Sequence, residues 1–379
     1  MIHMNKIYAF LYLSVMLTVN MVSAQSSDDK YQEILDKAHK NGLPAIVASV
    51  KPAHESAWIG KAGVSNLESS SPLDIDQSFR LASISKIFTS VIVLQLIDEK
   101  RITLSDPISK YIDPSILRKI PYADEITILQ LLSHSSGIYS FTENNSFWKE
   151  CYLNGGMSKI WQPHEWISYV EKKKSIHKPM APYSEKYYSN TNYILLGMII
   201  EKVTENSLLN EYQNRIFNPL RMDHTFLEGY DNQDRKPIES YAVPNTFFLK
   251  SAMKKKDIKK VGNSELINLS KEYNLFNSWA WAAGGISSNV SDLSIFLSAL
   301  RKEELLNEET QKVLMQLNSS VDNGITFFGG TGGSDGIQAT MLHIIPSDIE
   351  IIILINSSGS KQVNLSSVFV ELYKRATSK

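Results

Sequence analysis

The 379-residue sequence contains a single cysteine, Cys151. One thiol cannot form an intrachain disulfide, and a lone cysteine outside any motif is more often a packing residue than a reactive one. The sequence also lacks an excess of either charge, because its formal net charge is −1. Nothing in its composition therefore favours binding to nucleic acid or to an anionic membrane.

Internal repeats, low-complexity tracts and histidine pairs with zinc-binding spacing are also absent from the sequence. We therefore predict no metal site and no cofactor. The lysine-rich stretch at residues 254–260 lacks interleaved aromatic residues, and we interpret it as the solvated face of an insertion. With 43% hydrophobic residues, the composition is that of an ordinary globular protein.

A long hydrophobic run occurs only near the beginning of the chain. Lys6 precedes an almost entirely apolar run, residues 7–22, which ends in Val22-Ser23-Ala24. Small residues at these positions suit a signal peptidase, and the run is shorter than the roughly 18 to 20 residues that span a membrane. We therefore predict a signal peptide over residues 1–24, export to the periplasm or the cell exterior, and no stable membrane insertion after cleavage.

The order of helical and strand-like patterns indicates an α/β (α+β) fold. A helical pattern closed by Asn41-Gly42 and a final amphipathic helix flank five strand-like runs, at 45–50, 57–64, 326–331, 338–345 and 350–355. The simplest arrangement of these strands and helices is one antiparallel sheet built from both chain ends and flanked by helices. The predicted domains are an α/β domain from residues 25–82 and 283–379, and an inserted, mainly helical domain from residues 83–282.

The first candidate for chemistry is Ser83-Ile84-Ser85-Lys86, at the start of a long apolar helix. Residues three apart share a helix face, so the Lys86 amine can approach the Ser83 hydroxyl. A helix N-terminus and partial burial both disfavour an ammonium, which leaves an amine able to activate a serine. A helix-capping serine with a solvated lysine would give the same pattern. The spacing also recurs at Ser27, Ser146, Ser175, Ser251 and Ser358.

The second candidate is Tyr188-Ser189-Asn190. A tyrosine beside a cationic lysine can accept a proton, and an asparagine two residues later can donate to a substrate carbonyl. The alternative is a pair that caps the helix beginning near Asn192. The same spacing recurs at Tyr152, Tyr212 and Tyr230.

The third candidate is the glycine-rich stretch at residues 329–336, at the end of a strand-like run. Glycines let a substrate backbone approach closely, and the bare N–H of Gly333 is a candidate for the second oxyanion donor. A tight hairpin would explain the same residues. A phosphate cradle is disfavoured, because no Lys-Ser or Lys-Thr follows and the chain continues as a strand.

Together these stretches resemble the serine β-lactamase and penicillin-binding-protein superfamily. Within it, the chain resembles the class C β-lactamase-like group, which includes D-alanyl-D-alanine carboxypeptidases and esterases. The resemblance extends over nearly the whole predicted mature chain. It is carried by Phe79-Arg80-Leu81-Ala82-Ser83-Ile84-Ser85-Lys86, Leu131-Leu132-Ser133-His134-Ser135-Ser136-Gly137, Tyr188-Ser189-Asn190-Thr191-Asn192-Tyr193, Asn218-Pro219-Leu220-Arg221-Met222 and Ala283-Gly284-Gly285-Ile286-Ser287-Ser288.

The resemblance implies an active site at the junction of the α/β and helical domains. In that family arrangement Ser83 is acylated, Lys86 and Tyr188 transfer the protons, and Asn190 holds the substrate amide. The backbone amides of Ser83 and Gly333 would form the oxyanion hole. For His134 we expect a packed, hydrogen-bonded role.

The third motif departs from the family. Relatives have Lys-Thr-Gly or His-x-Gly, whereas this chain has Gly330-Thr331-Gly332. The resemblance assigns Thr331 and Gly332 to substrate binding, but the cation that would bind a substrate carboxylate is absent. Asp335 also stands where proline is commoner. Penicillins and D-Ala-D-Ala peptides both carry that carboxylate, so we expect the chain to prefer substrates without one.

These observations predict an exported serine hydrolase that cleaves an amide or ester bond through an acyl-enzyme on Ser83. Its substrate would be a small molecule or short peptide; whether that is an ester, an amide, a D-Ala peptide or a β-lactam is left open, as is the oligomeric state. The alternative, which the missing cation favours, is a non-catalytic binder of a cell-wall peptide or a partner in the same cleft.

Two further patterns are interpreted as coincidences. Residues 332–336 fit the G-x-S-x-G nucleophile elbow around Ser334, but that fold needs a helix after the serine, and a strand-like run follows. Residues 150–154 mimic the acid loop of class A β-lactamases, but they precede the Tyr188 motif instead of following it.

Overall fold

The structure is a computed structural model that describes residues 28–171, 177–180, 187–231, 235–244, 250–251, 258–261, 264–273, 277–358 and 365–378. The predicted signal peptide lies outside these residues, so it stays a prediction. Residues 254–257 of the lysine-rich stretch also lie outside them, whereas residues 258–260 belong to a strand in which Lys260 is exposed.

The described residues form the following strands and helices. The strands are β1 (Ala45–Lys51), β2 (Trp58–Asn66), β3 (Ser71–Pro72), β4 (Phe79–Arg80), β5 (Phe226–Leu227), β6 (Tyr241–Ala242), β7 (Ile258–Val261), β8 (Ser264–Asn268), β9 (Ile286–Ser288), β10 (Ser319–Asp322), β11 (Ile325–Ser334), β12 (Ile337–Ile344), β13 (Ile349–Ile355) and β14 (Ser357–Ser358). The α-helices are α1 (28–40), α2 (Ser85–Asp98), α3 (Pro114–Leu117), α4 (Ile128–Leu132), α5 (Asn145–Leu153), α6 (Pro163–Ser168), α7 (Asn190–Thr204), α8 (Leu208–Tyr212), α9 (Leu269–Glu272), α10 (Trp281–Gly284), α11 (Val290–Arg301), α12 (Glu308–Asn318) and α13 (Leu365–Thr377).

The central sheet is built from both ends of the described chain, as predicted. Its strand order is β10-β11-β12-β13-β1-β2-β3. All of its pairings are antiparallel, and the N-terminal β1 lies beside the C-terminal β13, with Val47 opposite Leu354. The α/β class with an antiparallel sheet flanked by helices is therefore confirmed.

Two layers of helix cover the two faces of this sheet. Alternate residues of β1 point to opposite faces, because side chains alternate along a strand. Ile46 and Ala48 pack with α1 and α13, whereas Ala45 and Val47 join the core under the remaining helices. The predicted first helix ends as expected, since Gly42 follows it with φ +117°.

The hydrophobic core that contains Ala45 and Val47 runs without interruption from the sheet into the helices of residues 83–282. Its centre is α2, in which nearly every side chain is buried, and the Phe88 ring stacks on Phe296 with 3.8 Å between ring centroids. This continuity means that the predicted boundaries at residues 82/83 and 282/283 stay predictions. None of the described helices is both long and apolar enough to cross a membrane.

The expectation of a single sheet was too simple. The described residues also form a sheet in the order β14-β6-β8-β7 and another in the order β4-β9-β5. The strands of these sheets are two to five residues long, too short to show an alternating pattern. A buried ion pair between Arg80 and Glu228, 2.7 Å apart, joins β4 to the end of β5. The sheet β4-β9-β5 holds β4, and β4 is followed two residues later by the turn that carries Ser83.

Candidate active site

Ser83 lies in a tight turn between β4 and α2. The turn is a 3-10 helix over Ala82–Ile84, and α2 begins at Ser85, two residues later than Ser83. Leu81 N donates to Ile286 O at 3.0 Å, and Ile286 N donates to Ser85 Oγ at 3.1 Å, so β9 holds the turn on both sides. Ala82 has φ +47°, a strained conformation of the kind that clusters at functional sites.

Lys86 lies in the first turn of α2, with its amine against the serine. Its Nζ is 3.2 Å from Ser83 Oγ, 2.8 Å from Asn190 Oδ1 and 2.5 Å from Ala283 O. The side chain is 6% exposed, and this burial lowers the pKa of Lys86, while the nearby Tyr188 opposes that effect. A neutral amine suits these contacts, because its two N–H groups can bond to Asn190 and Ala283 while its lone pair faces the Ser83 hydroxyl.

Tyr188 stands at the mouth of the site, on the other side of the serine. Its hydroxyl is 2.8 Å from Ser83 Oγ, and Lys86 Nζ is 5.0 Å from the centre of its ring. The side chain is 44% exposed, so it separates Lys86 from solvent while remaining open to a ligand. The sequence-predicted trio of Ser83, Lys86 and Tyr188 is thus brought together.

His134 supports the Tyr188 ring. The two rings are 4.1 Å apart at 30°, and His134 Nδ1 accepts a hydrogen bond from Ser189 N at 3.2 Å. Burial is the main cause that lowers the pKa of His134 to about 3, and Lys86 adds to this effect when it is protonated. The imidazole is therefore neutral at ordinary pH, in agreement with the packed, hydrogen-bonded role expected from the sequence.

Asn190 is the first residue of α7 and completes the polar cluster. Its Oδ1 accepts from Lys86, and its Nδ2 donates to Thr142 Oγ1 at 3.0 Å. Its backbone N donates to Ser140 Oγ at 3.1 Å, which fixes the start of the helix. The second N–H of the amide has no partner among the described residues, so it is available to a ligand carbonyl.

The glycine-rich half of strand β11 runs past the serine. Strand β10 pairs only with residues 325–328 of β11, so the half from Gly329 onward is left unpaired on that side. A Cβ at Gly332 would lie 2.0 Å from Leu81 O and 3.0 Å from Ser83 N, so only glycine permits this approach. Gly333, the predicted second oxyanion donor, is the next residue on the strand.

The hairpin that was the alternative explanation for these glycines is also present. Strands β11 and β12 are joined by the two residues Asp335 and Gly336, and Gly336 has φ +73°. Ser334 ends β11 and is followed by a strand, so the structure lacks the helix that a nucleophile elbow around it would require.

A pocket of about 360 Å³ opens beside the serine. It is lined by Ser83, Lys86, Ile87, Leu132, Ser133, His134, Tyr188, Tyr193, Gln316, Leu317, Asn318, Gly330 and Thr331. Lys86 is the only lysine or arginine in this lining. A carboxylate placed beside Gly330 would therefore find no second lysine or arginine among the described residues of the pocket wall.

Sequence analysis missed several residues of this site. The Ala283 carbonyl that accepts from Lys86 lies in a stretch that carried the family resemblance but was given no role. Ser140 and Thr142, which hold Asn190, and Gln316, at the end of α12, belong to no recognised pattern. Their positions depend on how distant segments pack, so only the folded structure reveals them.

Comparison with known proteins agrees with this geometry. The model of the Beta-lactamase family matches residues 28–362. A solved D-stereospecific amidohydrolase from a Streptomyces species superposes with a TM-score of 0.70 at 26% identity, over 90% of this chain and 97% of that one.

Two curated relatives come from Staphylococcus aureus. Protein flp of strain MRSA252 is 28% identical over 222 residues, which cover 58% of this chain and 42% of the relative. A teichoic acid D-alanine hydrolase is 27% identical over 226 residues, which cover 58% of this chain and 50% of the relative. The chain thus spans about half the length of these relatives or less. The family match and these relatives support a serine hydrolase, and the chain belongs to the Beta-lactamase family.

Proposed function

We propose that the protein is an exported serine hydrolase that cleaves an amide or ester bond through an acyl-enzyme on Ser83. One observation carries the proposal. Ser83 Oγ lies within hydrogen-bond distance of both Lys86 Nζ, at 3.2 Å, and Tyr188 OH, at 2.8 Å. A nucleophile in contact with a base that is itself oriented by further groups is the arrangement that covalent catalysis needs.

In the proposed first step, Ser83 Oγ bonds to the substrate carbonyl carbon as its proton passes to the Lys86–Tyr188 pair. The carbon–nitrogen or carbon–oxygen bond then breaks, and the proton passes to the leaving amine or alcohol. In the second step, water attacks the acyl carbon and gives a proton to the same pair. Ser83 Oγ recovers that proton as the acid product departs.

The backbone N–H groups of Ser83 and Gly333 are the proposed donors to the oxyanion. The close approach of Gly332 to Ser83 N supports this assignment, because it brings β11 alongside the nucleophile. Backbone donors fixed before the reaction stabilise developing charge strongly, since they need no reorganisation. Asn190, Thr331 and Gly332 are proposed to bind the substrate backbone.

The preferred leaving group is proposed to be uncharged. Tyr188, which could protonate the leaving group, lines the same pocket as Gly330, and this supports a leaving group bound there. Among the relatives, a teichoic acid D-alanine hydrolase and a D-stereospecific amidohydrolase are named for D-configured substrates, which makes D-aminoacyl esters and amides the first to test. Export to the periplasm or cell exterior is proposed from the predicted signal peptide.

Burst kinetics with p-nitrophenyl acetate test the proposed chemistry. Wild type should release one equivalent of p-nitrophenol in a burst if deacylation is slower than acylation, and should then turn over steadily. Ser83→Ala should lose both phases, whereas Ser334→Ala, which removes the serine of the rival elbow, should retain them. Full activity in Ser83→Ala would refute the proposal.

The second candidate function is a non-catalytic binder of a cell-wall peptide or partner. This alternative is favoured by Gly330, because glycine supplies no charge at the position where relatives have a cationic side chain. A binder would leave Ser83 unmodified by acylating reagents while still retaining its ligand. Turnover that depends on Ser83 excludes this alternative.

A further inference from the structure

A carboxylate without a cationic partner lies just past the proposed oxyanion strand. Asp335 is the first residue of the β11–β12 turn, two residues after Gly333. Its Oδ2 accepts a hydrogen bond from Tyr152 OH at 2.5 Å. Among the described residues, no lysine, arginine or histidine forms an ion pair with Asp335. Burial raises the pKa of Asp335, and the Tyr152 hydrogen bond opposes that effect.

Asp335 lies on the opposite side of the serine from the leaving-group pocket. Along β11, Gly330 and Thr331 line the pocket, Gly332 abuts the Ser83 turn, and Asp335 follows three residues later. A carbonyl held at Ser83 with its leaving group beside Gly330 must therefore direct its acyl part toward Asp335.

Contacts from the helical layer connect Asp335 to Asn190. Tyr152 stacks on Trp148, with 5.8 Å between ring centroids, and Trp148 Nε1 donates to Thr142 O at 2.7 Å. Thr142 Oγ1 in turn accepts from Asn190. A continuous set of side chains thus runs from Asn190 to Asp335, and Tyr152, which is buried, fixes the carboxylate at its end.

The spacing suits an amino group on the carbon next to the substrate carbonyl. Gly333 and Asp335 are two residues apart, which separates them by at most about 6.6 Å of extended chain. The substrate carbonyl oxygen would accept a hydrogen bond from the Gly333 N–H. The substrate α-carbon and the Asp335 side chain would then bridge the remaining distance. A largely desolvated carboxylate is costly unless a cation or several donors meet it, and a substrate ammonium would supply that cation.

We propose that Asp335, held by Tyr152, binds the α-ammonium group of the acyl part of the substrate. The substrate class is therefore an α-aminoacyl ester or amide with a free amino group and an uncharged leaving group. This inference rests on the proposed function and deepens it, because it assigns the residue that selects the acyl group. Asp335 is a specificity-determining residue in this account and takes no part in bond cleavage.

A pair of isosteric substrates tests the proposal. D-Alanine p-nitroanilide carries an ammonium group where isobutyric acid p-nitroanilide carries a methyl group, and the two are otherwise alike. At pH 7 most of the α-amino group is protonated, given its pKa of about 7.7 to 8.0. Wild type should prefer the ammonium substrate by about 10- to 100-fold in kcat/KM, as expected for a charge-assisted hydrogen bond.

The variants separate binding of the ammonium from a structural role. Asp335→Asn keeps an acceptor for Tyr152 but loses the charge, so the preference should fall to about one through a loss of kcat/KM for the ammonium substrate. Asp335→Glu should retain part of the preference. Asp322→Asn, an exposed position on β10, is the matched control and should behave as wild type.

Four outcomes would overturn the inference. Equal kcat/KM for the two substrates in wild type would show that no group of the protein binds the ammonium group selectively. A preference that persists in Asp335→Asn would assign it to another residue, and equal losses on both substrates would make Asp335 structural. If wild type hydrolyses neither substrate and Ser83 is not acylated, the proposed function fails together with this inference.

Discussion

At the scale of single residues, the chemistry depends on the state of one amine. Lys86 is buried in α2, and a burial that strongly disfavours the charged form is what turns an ammonium into a base. The three oxygen atoms around Nζ would also accept bonds from an ammonium, so the contacts alone do not decide the state. Desolvation is the larger effect, and it favours the amine.

This state predicts the pH dependence of the reaction. The amine is active only when unprotonated, so raising the pH through the lowered pKa of Lys86 increases the active fraction. We expect kcat/KM for a neutral ester to rise about tenfold per pH unit on the acid side and to level off below the ordinary lysine value of 10.5. In Lys86→Met the rate should fall about 10²–10⁴-fold, and the acid limb, which is the rise of kcat/KM with pH, should disappear.

Two results would contradict the assignment of the limb to Lys86. One is a rate that keeps rising up to pH 10.5, which would mean an unperturbed lysine. The other is an unchanged limb in Lys86→Met. His134 is not expected to produce the limb, because its pKa of about 3 leaves it neutral throughout the measured range.

Gly330 provides a second prediction at this scale. Among the described residues, a Cβ there would meet only the flexible Ile87 side chain, with Cδ1 at 3.2 Å, so the strand should accept a larger residue. Gly330→Lys should restore the missing cation and improve acylation by penicillins relative to neutral esters. The expected gain is about 1.5–3 kcal/mol, or ten- to a hundredfold.

Gly330→Ala is the matched control, because it adds the Cβ without the charge. The measured quantity is the ratio of acylation rates for a penicillin and for a neutral ester. If wild type already prefers the carboxylate-bearing compound, another group supplies the cation, and a peptidase or β-lactamase function regains support.

At the scale of elements, the site depends on β11 lying against the turn before α2. Both elements were predicted from the sequence, because a window of about ten residues is enough to show a strand-like run or a helical pattern. It did not predict that Ser83 stands in a 3-10 turn two residues before α2, with Ala82 at positive φ. Such a conformation is imposed by β9 and β11 and not by local preference.

Two neighbouring glycines test the contact between these elements. Gly332→Ala would place its Cβ 2.0 Å from Leu81 O, so β11 must move away from Ser83. A displacement of about 1 Å costs roughly a hundredfold in rate. Gly333→Ala retains the N–H, and the nearest atom of the described residues to its Cβ would be Ile337 O at 3.8 Å, so its activity should change little.

Ester hydrolysis and thermal unfolding should be measured for both variants. Similar activity in the two would mean that the approach of β11 to Ser83 is not needed for catalysis. A loss confined to Gly333→Ala would also contradict the account, since that position has room for a side chain.

At the scale of the whole molecule, the site joins segments that are far apart in sequence. Ser83 and Tyr188 are 105 residues apart, and the Tyr152–Asp335 contact joins residues 183 apart. The first pair was predicted because each residue stands in a stretch that resembles a known family. The second was not, because Tyr152 and Asp335 belong to no shared motif and meet only through the packing of α5 against the β11–β12 turn.

Export is a prediction about the whole chain. When the full sequence is expressed in a bacterial host, the mature protein should begin at Gln25, because Val22 and Ala24 suit a signal peptidase. The mass of the exported protein checks this directly. Ala24→Arg should block cleavage, and an uncleaved cytoplasmic product from the natural sequence would contradict the predicted signal peptide.

The central claim is that Ser83 is the residue acylated by substrate. Its most direct test is the intact mass and peptide map of the folded protein after treatment with a fluorophosphonate. We predict one phosphonyl group on Ser83 in wild type and in Ser334→Ala, and none in Ser83→Ala. An adduct on Ser334 with Ser83 untouched, or a folded wild type that takes up no label, would contradict the account.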